Sequence, residues 1–209
     1  MPKITARFLR RVALPVALTL ARSSDAQTAP NAADVRFLQG MIGHHAQAIE
    51  MAALVPSRST RDDMKLLAER IDVSQHDEIA TMQRWLSAHH QTVPPLDAHA
   101  GHDVAAMKDM PGMPGMTHDS SAAMAMMPGM ATPAQMDSLR AARGAAFDRL
   151  FLTYMIRHHE GALTMVAQLF ASKGAAQEPA VFQLASDVDT DQRAEIARMR
   201  ALLAALPNR

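Results

Sequence analysis

The chain has 209 residues, with 21 Lys+Arg balanced by 21 Asp+Glu, no Cys, 17 Met and 10 His. Zero net charge argues against a nucleic-acid partner, which would call for a basic excess. The lack of Cys excludes disulfides, thiolate metal sites and thiol catalysis, so any metal chemistry must use imidazole, thioether or carboxylate.

Residues 1–26 read as a secretory signal. Lys3, Arg7, Arg10 and Arg11 precede the nine-residue apolar run Val12–Leu20, and Ser24 and Ala26 place small residues before a cut at Gln27. The run is shorter than the about 20 residues of a membrane span. Removing 1–26 leaves 16 basic residues against 20 acidic, a net charge of −4. The mature chain contains no other long apolar run, so the expectation is a periplasmic or secreted protein without a membrane span.

Residues 27–90 carry a helical period. Phe37, Met41, Ile42, His45, Ala48, Ile49 and Ala52 recur at spacings of three and four, with Asp34 as the expected cap and Pro56 as the stop. Leu67, Ile71, Gln75, Glu78, Met82 and Trp85 repeat the pattern, and Thr60 and Asp63 are spaced as a capping box. Residues 91–131 differ in kind. Between His99 and Met130 stand eight Met, three His, three Pro and four Gly, and Met-Pro-Gly-Met occurs at Met110–Met113, Met113–Met116 and Met127–Met130. This composition predicts a long connection that is disordered without a ligand. Residues 132–209 return to helix. Thr132, Pro133 and Gln135 make a capped start, Gly144 a break, Lys173-Gly174 an end, and Pro179 the first turn of the last helix.

The body is one unit written twice. Phe37–Met51 and Phe151–Met165 agree at eight of fifteen positions with an offset of 114, and Asp72–Met82 and Asp189–Met199 agree at six of eleven with an offset of 117. Each copy is a helical hairpin with one apolar face. The prediction is an all-α protein, a four-helix bundle of ferritin-like type made of two repeated hairpins.

The candidate chemistry lies on the first helix of each copy. At about 100° per residue, Met41, His44, His45 and Met51 fall within a sector of about 120°, and Met155, His158, His159 and Met165 repeat the spacing. A Met stripe at helical spacing is ordinarily core. An adjacent His pair that recurs with the same flanking Met favours ligands, and thioether with imidazole is a donor set for Cu(I). Gln75, Glu78 and Met82, like Gln192, Glu195 and Met199, share faces that can supply acceptors orienting the His pairs. His76 has Arg193 as its repeat mate, which weakens any ligand role for it. In the connection, Pro and Gly prevent a helix from burying the Met together. Met107, Met110, Met113, Met116, Met127 and Met130, with His99, His102 and His118, are therefore candidate soft-metal donors.

Met-x-x-His-His with a following Met, then Gln-x-x-Glu-Ile-x-x-Met, resembles the domain-of-unknown-function 305 family over residues 34–88 and 147–205. The resemblance implies a ferritin-like helical architecture, and some secreted bacterial members of that family are copper-binding resistance proteins. It makes Met41, His44, His45, Met51, Met155, His158, His159 and Met165 the motif positions. The Met-rich connection is similar to the Met motifs of periplasmic copper and silver carriers.

The expectation is a copper-binding protein, not an enzyme. It sequesters or passes on Cu(I), with Ag(I) or Cu(II) as further cargo, and has a copper chaperone or efflux component as partner. One rival is a ferritin-like metal-dependent oxidase. Di-iron bundles of that kind use Glu-x-x-His, and no Glu here has a His three residues on. The other rival is a metal-free stress protein whose Met are sacrificial oxidation targets.

Overall fold

The computed structural model describes residues 29–96 and 127–207. The signal read over 1–26, and His99, His102, Met107, Met110, Met113, Met116 and His118, lie outside the described residues. The described residues form helices α1 (Ala32–Ala53), α2 (Val55–Arg58), α3 (Asp62–Ala88), α4 (Pro133–Ala141), α5 (Gly144–Ala171) and α6 (Pro179–Ala204), and no strand appears among them.

Local sequence accounts for most of the boundaries. Pro56 sits in the single turn α2 that follows α1. Thr132 and Gln135 form the reciprocal capping box that opens α4. Gly144 adopts φ +56, a conformation that ordinary side chains resist, and it separates α4 from α5. Two expected caps are replaced. Asn31 caps α1, its side chain accepting from the Ala33 amide at 2.8 Å. Asp34 stands three residues further in, buried, and accepts from the Ala176 amide at 2.7 Å across the hairpins. At the start of α3 no capping box forms: the Ser59 hydroxyl accepts from the Arg61 amide, and Asp63 is held by the Arg61 guanidinium. Asp34→Ala leaves the Ala176 amide buried without a partner. The expected loss is about 1–3 kcal/mol of stability, read by urea unfolding of the metal-free protein.

Helix α1 packs along α3 and α5 along α6, and the hairpins meet where α1 crosses α5. The apolar core falls into two clusters. One contains Phe37, Met41, Ile42, Ile79 and Met82 with Ala162, Met165 and Val188. The other contains Ala48, Met51, Ile71, Phe151, Met155, Ile196 and Met199. The repeat exchanges the two: Met41 and its mate Met155 lie in different clusters, as do Met51 and Met165, and Met82 and Met199. Along each long helix, the chain passes from one cluster to the other through polar residues. These are His44 and His45 on α1, Gln75 on α3, His158 and His159 on α5 and Gln192 on α6, each 0–1% exposed. The bundle therefore has a polar layer at mid-height, between two apolar halves.

Candidate metal centre

Helical geometry sends adjacent His in different directions, since consecutive side chains diverge by about 100°. His44 of α1 and His158 of α5 face each other across the hairpin seam, with ring centroids 3.8 Å apart and planes tilted by 38°. His45 and His159 turn toward the second helix of their own hairpin. His45 Nε2 bonds to Glu78 at 2.5 Å and His159 Nε2 to Glu195 at 2.6 Å. The carboxylates, 11% and 13% exposed, mark the outer edge of the layer.

These bonds decide which nitrogen can act. A carboxylate accepts, so the proton of His45 and of His159 sits on Nε2 and the lone pair on Nδ1. Both Nδ1 atoms are buried with no hydrogen-bond partner among the described residues. Neither ring nitrogen of His158 has one either. Burial, then the adjacent His44, His159 and His45, hold the His158 imidazole well below its ordinary pKa. It is neutral at neutral pH, the form that binds metal. Gln75 and Gln192 add two buried carbonyl oxygens, Oε1, without partners in the same layer. Native interiors satisfy nearly all such atoms, and each orphan costs about 1–3 kcal/mol. Concentrated in one layer, these imidazole nitrogens and amide oxygens make a set of potential metal donors. The carboxylate–histidine pairing is that of outer partners which orient metal-ligating imidazoles.

Sulfur flanks this layer. Met41, Met51 and Met155 are fully buried, and Met165 is 9% exposed. Met41 and Met165 share one apolar cluster and Met51 and Met155 the other, so the eight motif residues of the two repeats belong to one seam. Among the described residues, no three His, Asp or Glu side chains converge as a ready metal site. A ligand set drawn from this seam therefore needs thioether sulfur or side-chain rearrangement.

Two candidates of the connection are described, Met127 and Met130. Met127 Sδ packs over Gly40, 3.6 Å from where a Cβ would stand, beside the Met165 methyl at 3.3 Å. Met130 is buried. Residues 127–131 are thus part of the packed structure. Sequence reasoning passed over Pro128, whose carbonyl accepts from His44 Nε2 at 3.0 Å. It also passed over Gln47, which bonds both backbone groups of Ala131 at 2.7 and 2.9 Å. The available signal was the difference between the repeat copies: Gln47 stands opposite Gly161, two residues after the His pair that the copies share.

Of the remaining His, His76 is exposed and bonds the Asp72 carbonyl of its own helix. His89 stacks on Trp85, with ring centroids 3.9 Å apart. At the outer edge of the layer, burial and then the Glu78 and Glu195 carboxylates push the Asp191 carboxyl up. Asp191 and Glu195 line a groove with Arg70, Asp77 and Arg198.

The fold and the site define a repeat-built helical bundle with a buried histidine layer. The chain belongs to the DUF305 family: the model of that family, a domain of unknown function, matches residues 34–203. Its fold is similar to a DUF305 fragment from Deinococcus radiodurans, with a TM-score of 0.65 and 30% identity over 85% of this chain and 99% of that one. A DUF305 protein of Streptomyces coelicolor described as secreted has a TM-score of 0.63 and 27% identity, over 82% and 92% of the two chains. CopM in its Cu(II)-bound form has a TM-score of 0.59 and 28% identity, over 82% and 95%. No curated protein matches. No helix among the described residues is long and apolar enough to cross a membrane.

Proposed function

We propose that the protein binds copper, Cu(I) in preference, in the periplasm or outside the cell, and that it holds or passes on the ion without turnover. The observation that carries this reading is the buried histidine layer. It leaves imidazole lone pairs unpaired, with two tautomers set by carboxylates and methionine sulfur above and below. Neutral imidazole and thioether are donors for Cu(I), and imidazole also accepts Cu(II) and thioether Ag(I). CopM, similar in fold and 26–28% identical, has been solved with Cu(I) and with Cu(II) bound. The Met and His of residues 99–126 serve in this reading as exchangeable outer donors. A copper chaperone or an efflux component is the partner that would take the ion on.

The test is titration of residues 27–209 with Cu(I) against a competing chelator, read by mass spectrometry. Several bound ions are expected, with the weaker ones lost when residues 99–126 are deleted and the tightest retained. A stoichiometry no higher than that of a helical bundle lacking these His and Met would return the layer to packing.

A further inference from the structure

The seam is nearly twofold, but the turn at Met127–Ala131 makes it one-sided. His44 Nε2 bonds to the Pro128 carbonyl, whereas neither ring nitrogen of His158 has a hydrogen-bond partner among the described residues. The turn is held by what differs between the two repeat copies. The first copy supplies Gln47, whose amide clasps Ala131 from both sides. The second copy supplies Gly161, where the backbone is bare. A Cβ on Gly161 would stand 1.9 Å from the Pro128 oxygen and 2.8 Å from Gly129 Cα. Gly129 itself has φ +79, and a Cβ there would stand 2.4 Å from the Arg157 oxygen. Two glycines thus let a backbone carbonyl approach the layer where any side chain would hold it off.

We propose that the Pro128 carbonyl is a positioning group of the histidine seam, seated by the notch at Gly161 and the clasp at Gln47. A carbonyl only accepts, so it holds a His44 proton on Nε2, and in the neutral ring the lone pair is then on Nδ1. Glu78 and Glu195 do the same for His45 and His159. In the fourth histidine, His158, neither ring nitrogen has an orienting partner among the described residues. This assignment deepens the copper reading and rests on it for its functional meaning, but the tautomer it predicts belongs to the protein with or without metal.

The experiment uses histidine-labelled chain and three readouts: the ring-nitrogen NMR shifts, the hydrogen exchange of the Ala131 amide, and Ag(I) affinity by competition. In the parent protein, His44 is expected to carry a slowly exchanging Nε2 proton. Gly161→Ala puts a methyl where the carbonyl sits, while alanine favours helix over glycine and keeps α5 formed. It should expose the Ala131 amide, mix the His44 tautomers and lower Ag(I) affinity at the seam about 10–100-fold, the usual loss on removing an outer partner of a ligating imidazole. Gln47→Ala removes the clasp from the other helix and should reproduce all three changes. The proposal is overturned if either variant frees the Ala131 amide while His44 keeps its Nε2 proton and the affinity holds. It is equally overturned if the amide stays protected in both. A parent protein whose His44 and His158 signals ignore Ag(I) would sink the copper reading instead, and the tautomer result would still decide this one.

Discussion

Replacing His158 by leucine should make the metal-free protein more stable and abolish binding at the proposed copper site. The imidazole is 1% exposed, and both of its nitrogens lack a hydrogen-bond partner among the described residues. A buried polar atom left unpaired costs about 1–3 kcal/mol, and an apolar side chain of similar volume escapes that cost. Leucine would pack on the His44 ring and reach the two apolar clusters that flank the layer, which contain Met155 and Ala162 of the same helix. A net gain of about 1–3 kcal/mol corresponds to a rise of roughly 2–4 °C per kcal/mol in the melting temperature of a chain this size. On the proposed copper reading, Cu(I) should reverse the order. At a free Cu(I) concentration of about 100 Kd, the parent protein gains about 2.7 kcal/mol by mass action. The leucine variant should gain almost nothing, its seam affinity having fallen by more than about 100-fold. Scanning calorimetry with and without Cu(I) under a buffering chelator reads both effects. His76→Leu on an exposed face is the control and should change neither. If His158→Leu lowers the apo melting temperature, or leaves the copper shift intact, the ring is a packing element and the seam is not the site.

Repeat and helical period made part of this site legible in the sequence, and contacts between helices made the rest illegible. The repeat was legible because eight of fifteen identical positions in one window include the His pair and both flanking Met. The helical period then placed these residues on one face, and two one-faced hairpins can only bury that face against each other. The shared faces of Glu78 and Glu195 with their neighbours were legible for the same reason, and those carboxylates do bond His45 and His159. Whether the two His faces meet was not legible. That depends on where α1 crosses α5, which residue spacing within one helix does not encode. The divergence of His44 from His45 was implicit in the 100° step, but its consequence required a second helix on each side. Asp34 shows the limit of local rules. Its position near a helix start reads as a cap, yet burial gives it a stronger use in holding Ala176 of the other hairpin. The Pro128 carbonyl was least accessible of all, because backbone atoms carry no sequence label and Gln47 and Ala131 are 84 residues apart.

Acid should weaken the metal-free protein through the same residue. Burial first, and the surrounding His next, depress the His158 pKa in the folded state, while the unfolded chain titrates near the ordinary value of about 6.5. Below that pH, the unfolded state therefore binds a proton that the folded state refuses. The unfolding free energy should be level above about pH 6.5 and then fall as pH drops. The slope approaches about 1.4 kcal/mol per pH unit for this one group and ends only at the lower folded pKa. Urea unfolding at a series of pH values reads the slope, and His158→Leu should flatten it by that amount. An equal slope in the variant would assign the acid sensitivity to other groups. In the proposed copper site, the depression would also favour the metal-binding form of the ring. An ordinary imidazole loses about eightfold of its neutral form between pH 7 and 5.5, and copper must compete with that proton. A ring whose pKa burial and its His neighbours depress keeps more of its neutral form over this range and imposes a smaller loss. The Cu(I) affinity of the seam should then decline by clearly less than eightfold per His158 equivalent over the interval, in competition titrations at fixed chelator affinity. A full eightfold decline attributable to His158 would mean that the ring is wet and ordinary in solution. The buried layer would then lose the feature that favours it as the seat of the proposed copper site.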